Sequence, residues 1–109
     1  MRESEHSRAR RFRGLPRAEI EGRRVHIATT RRSRLLGLAL LDATAAPEGL
    51  LIPGCRSVHT FGMRFSLDLV FLGRNLLPVS RRRVSPGRIV VEPRAQAVLE
   101  LPVRHGNRR

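Results

Sequence analysis

The sequence predicts a mainly β domain, a small β-sandwich or distorted barrel of six to eight short strands with one short helix after the first strand. Three observations lead there. From residue 49 onward, apolar runs of four to eight residues alternate with glycine, proline or asparagine turn signals every eight to twelve residues. Near the end, Ala97, Leu99 and Leu101 alternate with Gln96, Val98 and Glu100, the period of a strand. The length, 109 residues, suits one domain that buries roughly two-thirds of its unfolded surface. With four Phe and no Trp or Tyr, its core must be Leu, Val, Ile and Ala.

Residues 1–22 combine Arg, Glu, Ser and Pro and read as a flexible basic N-terminal arm, with a short extended piece near residues 18–20. A single β-rich domain is expected over residues 23–103, followed by a basic tail at 104–109. Residues 25–28 alternate enough for a first strand. Thr29 and Thr30 can cap a helix over residues 31–41, where Leu35, Leu38 and Leu41 recur at helical spacing. After a loop at 42–48, residues 49–53 form a short buried strand, ended by the Pro53-Gly54 turn. Further strands are expected over 58–63 and 65–72, the second apolar on both faces except at Asp68, as a central strand is. Gly73-Arg74-Asn75 is a short hairpin connection to a strand over 76–82. Ser85-Pro86-Gly87 and Pro93-Arg94 then bracket a strand over 88–92, and the last runs over 95–101.

The formal net charge is +13, and all 22 basic residues are arginine. A surface built for phosphates usually mixes lysine point charges with arginine forks, so the absence of lysine reads as a coding bias. The charge is spread: net +4 over residues 1–24, +6 over 25–103 and +3 over 104–109, with one dense triplet at Arg81, Arg82 and Arg83. Such a body attracts nucleic acid weakly and in a salt-sensitive way. The single cysteine, Cys55, excludes an internal disulfide and a multi-thiolate zinc site. The first residues form no apolar leader and no run is long enough to span a bilayer, so the expected address is cytoplasmic, without a transmembrane segment.

Four pieces of the chain form a fingerprint. They are Arg34-x-x-Gly37-Leu38, then Gly49-Leu50-Leu51-Ile52-Pro53, then His59-Thr60-Phe61-Gly62-Met63-Arg64-Phe65-x-Leu67-Asp68-x-x-Phe71-Leu72, and finally Val98-Leu99-Glu100-Leu101. In this order they resemble the bacterial and archaeal family of domain of unknown function 192, over residues 23–101. The resemblance implies a mainly β, sandwich-like domain with a short helix after its first strand, and it implies no activity. Many relatives carry an aromatic Phe-Trp-Met-Lys-Asn-Thr type segment where this chain has residues 58–63. They also continue past the Leu-Glu-Leu strand into a further one, so an open sheet edge is expected near the C-terminus here.

The candidate site residues lie in and around residues 55–68. Cys55, His59 and Met63 supply the thiolate, imidazole and thioether of a copper site, with His26 as the nearest second imidazole. Residues four apart on a strand lie roughly 13 Å apart, so a shared metal needs a tight loop, and the plainer reading is a buried Cys, a bonded His and a core Met. Cys55 and His59 are also a nucleophile and base, with Asp68 to orient the imidazole and Arg56 to lower the thiol pKa, against the plainer reading of a lone thiol. Asp68 in an apolar strand must be paired, with Arg34 or Arg64 the expected partner. A polar site that gathers Arg34, His59, Thr60, Met63, Arg64 and Asp68 would bind a small polar or anionic ligand. Arg81, Arg82, Arg83 and Arg88 could track a phosphate backbone, but the interleaved aromatics of single-strand binders are missing, and a solvated strand end explains them. No phosphate loop, His-Glu-x-x-His or Gly-x-Ser-x-Gly motif is present, so no cofactor is called for. The chain reads as a binding or accessory module rather than an enzyme.

Overall fold

Residues 12, 14–29 and 48–103 are described by the computed structural model, and they form eight strands and one 3-10 turn. β1 (Arg17–Ile20) and β2 (Arg23–Ile27) make a hairpin. Its loop residues Glu21 and Gly22 both have positive φ, 55° and 76°, the handedness a two-residue hairpin loop needs. Paired backbone therefore starts at Arg17, within the stretch expected to be an arm. β2 runs parallel to β3 (Leu50–Pro53). The helix expected over residues 31–41, and Arg34 with it, lies outside the described residues.

The remaining strands are β4 (Ser57–His59), β5 (Leu67–Leu72), β6 (Pro78–Val84), β7 (Ile89–Val91) and β8 (Ala97–Pro102). The strand expected over 58–63 stops at His59. There the Thr60 carbonyl accepts the Met63 N–H (3.2 Å) and Gly62 takes φ 81°, so the chain turns. The connection after β5 is wider than a tight hairpin. A 3-10 turn at Arg74–Leu76 holds Asn75 and Leu76 at positive φ, and a bulge sits at Phe71/Leu72.

Six strands form one sheet in the order β1-β2-β3-β8-β5-β6, and β4 pairs with β7 in a second. β8 thus has a partner on each side, and the edges of the large sheet are β1 and β6. The open edge expected near the C-terminus is not at this strand. Although β1 and β6 are the two ends of the sheet, Glu21 at the β1–β2 loop makes a two-pronged ion pair with Arg81 on β6. The sheet is therefore strongly coiled, as a barrel is.

Strand alternation divides the core in two. Ile20, Val25, Leu51, Val70, Leu72, Ala97, Leu99 and Leu101, all from the large sheet, pack on one face, which the coil encloses. On the other face Leu50, Ile52, Leu67, Leu69, Phe71 and Val98 meet Val58 and Val90 of the small sheet, with Phe12, Leu15, Met63 and Phe65 filling between. Sandwich and barrel are both present: a coiled sheet with a two-stranded sheet packed on its outside. Among the described residues no helix is long and apolar enough to cross a membrane.

Candidate functional site

The residues singled out between 55 and 68 separate in space. Val58 is the inward residue of β4, so by alternation Ser57 and His59 face out. The exposed His59 ring stacks on Phe61, with centroids 5.7 Å apart and planes at 24°. Met63 instead lies in the core between the sheets. The Cys55 thiol donates to the Ser57 carbonyl oxygen (3.0 Å), a bond along the outer edge of β4. Cys55, His59 and Met63 thus point three ways, and no three His, Cys, Asp or Glu among the described residues could hold a metal together.

Thr60 is fully buried and clamps the turn that follows. Its hydroxyl donates to the Ser85 carbonyl oxygen (2.8 Å) and accepts the Arg88 N–H (2.8 Å), while its backbone N–H donates to the Arg88 carbonyl (2.8 Å). These bonds leave it no hydroxyl for a ligand. Asp68 is paired with Arg83: Nε and one terminal nitrogen of Arg83 donate to the two carboxylate oxygens at 2.8 and 3.0 Å. The reason is register, since Arg83 sits directly opposite Asp68 on β6. Asp68 is also not enclosed; its side chain is 38% exposed. It shares a sheet face with Val70 and Leu72, opposite the face on which β4 packs, so it cannot orient His59. Arg64 is exposed.

The arginine triplet divides by the same alternation. Arg81 is held by Glu21 and Arg83 by Asp68, while Arg82 projects from the opposite face of β6. Arg88 lies exposed at the entry to β7. These four do not form one surface. Another carboxylate, Glu92, is drawn down to a pKa of about 2 by the Arg94 side chain and N–H that donate to it (2.9 and 3.2 Å). A groove of about 580 Å³ over the β1–β2 hairpin is lined by Arg17, Glu19, Arg24 and Glu48, which balance in charge.

One buried polar group, Glu100, escaped the sequence reading as a site residue, and half-buried His26 lies near it. Glu100, only 5% exposed, falls between the sheets with Leu50 and Leu69 directly beside it, and burial lifts its pKa to about 7. His26 is opposite Leu50 in the same cross-strand row. Its Nδ1 is buried without a hydrogen-bond partner, its ring lies against Phe12, and burial, then the nearby Arg17 charge, holds its pKa below the usual value. The row signal was the Glu within an alternating strand; its depth was set by neighbours distant in sequence.

What residues 55–64 do build is a surface. Ile89 pairs with His59 and Val91 with Ser57, so all four side chains lie on the outward face of the small sheet, with Phe61 against His59. Phe61, Ile89 and Val91 are 52%, 67% and 58% exposed. Ile89-Val90-Val91 looks like core in sequence, yet a two-stranded sheet can turn only Val90 inward.

The family model described as DUF192, Uncharacterized ACR, matches residues 13–108. No curated protein matches the chain, and no solved structure does.

Proposed function

Because the chain belongs to the DUF192 family, a group whose description assigns no activity, we propose from its geometry that it is a polypeptide-binding module. Its recognition surface is the outward face of the small sheet, made by His59, Phe61, Ile89 and Val91. The observation that carries this reading is the exposure of three large apolar side chains, side by side, on a face no other described strand covers. Apolar contact area of this kind, rimmed by polar residues, marks a protein interaction site. Exposed Arg88 stands at the entry to β7, Arg56 at the entry to β4 donates its Nε–H to the Ala95 carbonyl (3.2 Å), and Glu92 beside the sheet is engaged by Arg94. The chain's +13 charge then favours a partner segment that mixes apolar with acidic residues.

A library of random displayed peptides tests it. The wild-type chain should enrich peptides rich in Asp or Glu together with Val, Ile or Phe. A Phe61→Ser/Ile89→Ser variant, altered only at exposed positions, should bind the same soluble peptides at least tenfold more weakly. Enrichment of purely acidic peptides, indifferent to that variant and released at physiological salt, would show charge attraction alone.

A further inference from the structure

The small sheet also has backbone to offer. In its ladder Thr60 N–H donates to Arg88 C=O and Glu92 N–H donates to Arg56 C=O, each at 2.8 Å. Hydrogen-bonded pairs alternate along an antiparallel ladder, so Val58 and Val90 bond each other, and the N–H and C=O of residues 57, 59, 89 and 91 point away from the partner strand. On β4 the outward Ser57 carbonyl is taken by the Cys55 thiol. On β7 no described strand lies beyond Ile89 and Val91, so their outward N–H and C=O groups form an open edge. Natural proteins usually blunt such an edge with a charge, a proline or a cover. Here the two edge residues are instead a β-branched pair with exposed side chains, both favourable to strand pairing.

We propose that the partner of this surface is an extended, acidic segment of another protein that adds to β7 as a third strand of the small sheet. This rests on the reading of that sheet as a binding face. Main-chain bonds to Ile89 and Val91 would supply attachment and register, as in other strand-addition complexes. Alternate side chains of the incoming strand would cover Ile89, Val91 and, through them, the His59–Phe61 stack. The segment's acidic residues would meet Arg88 at the entry to β7. Charge decides against a second copy as the occupant, because two bodies of +13 repel while an acidic strand is drawn in.

Val91→Pro provides the test. It deletes one outward N–H, keeps an apolar side chain, and leaves the ladder bonds made by residues 88, 90 and 92 untouched; proline is tolerated on a sheet edge. The probe is the tightest soluble peptide from the displayed library, measured by calorimetry and by amide exchange on the wild-type chain. Strand addition predicts at least a tenfold loss of affinity in Val91→Pro, little loss in Val91→Thr, and slowed exchange of the Ile89 and Val91 amides on binding. A peptide that needs Phe61 and Ile89 but ignores Val91→Pro and protects neither amide would overturn strand addition and leave the face itself standing. If no peptide depends on Phe61 and Ile89, the binding-module reading falls as well. A dimer of the chain alone that Val91→Pro dissolves would make a second copy the occupant and reject the acidic partner.

Discussion

Glu100 is a carboxylic acid among leucines, and its proton is part of the fold. An unfolded glutamate titrates near 4.5 and this one at about 7 when folded, with burial as the cause. The folded state therefore holds more protons across that window. The stability this group allows is complete below about pH 4.5, falls as pH rises to about 7, and is level above. His26 works the other way: its lowered pKa means that stability is lost as pH falls through its titration range. Comparing Glu100→Gln with wild type cancels the histidine contribution. The variant should match wild type near pH 4.5 and exceed it at pH 8 by up to about 3 kcal/mol, read from urea unfolding at both values. Equal stabilities at pH 8 would mean that a partner already satisfies the carboxylate. Thr60 calls for a different substitution. Thr60→Val keeps its shape but orphans the Ser85 carbonyl and Arg88 N–H, a loss of about 1–3 kcal/mol, whereas Thr60→Ser should lose much less. Denaturation midpoints of the pair separate a clamp from a ligand-binding hydroxyl. Neither role is visible in sequence. Thr60 looked like a site residue because it neighbours His59, and Glu100 stood only on the Gln96–Val98 face of an alternating strand; each side chain's surroundings are decided by residues 25 or more positions away.

Elements were legible where local pattern alone sets them. The alternation of β8 is carried through without change: Ala97, Leu99 and Leu101 enter one cluster and Val98 the other. Turns at Pro53-Gly54 and Ser85-Pro86-Gly87 also fall where proline and glycine place them. Pairing was not legible. β1 is rich in Arg and Glu because its outer residues are solvated, which made it resemble an arm, and the Asp68–Arg83 pair required the register of β5 against β6. Gly49 shows how much of such register is encoded silently. A Cβ there would lie 2.7 Å from Leu101 Cδ2 and 2.9 Å from Val25 Cγ1, too close for either. The glycine lets β3 enter beside β2 and β8 with its neighbours' side chains folded over it. Gly49→Ala should therefore destabilise by about 1–3 kcal/mol through overpacking, despite alanine's lower backbone entropy cost. Leu101→Ala opens the nearer contact, so the double variant should lose less than the sum of the two single losses. Strictly additive losses would show that the glycine is not packed this way.

Across the whole molecule, 22 arginines face nine carboxylates, and Glu100 is largely protonated below pH 7. Ion pairs and general repulsion then respond to salt in opposite directions. Arg81–Glu21, Arg83–Asp68 and Arg94–Glu92 are solvent-facing pairs, which salt weakens and which contribute little individually. Repulsion among the unpaired guanidinium groups acts over the Debye length, which shrinks from about 30 Å at 0.01 M salt to well below 10 Å at 0.3 M. A molecule of this size is spanned by the longer distance and not by the shorter, so screening removes far more repulsion than attraction. Thermal unfolding at pH 6 should shift upward between ~0.01 M and ~0.3 M sodium chloride. A downward shift would mean that the three pairs, chiefly the Glu21–Arg81 link between the two sheet edges, outweigh the net charge. The same screening separates two kinds of partner. Duplex DNA held by diffuse charge should be released over this range, because its affinity follows counterion release. A strand bonded to β7 and resting on Phe61, Ile89 and Val91 should lose only the acidic share of its affinity, because main-chain bonds and apolar burial are not screened. Titrating both ligands across the same salt series asks whether the positive charge of this chain is its binding determinant or the background against which a small apolar face selects its partner.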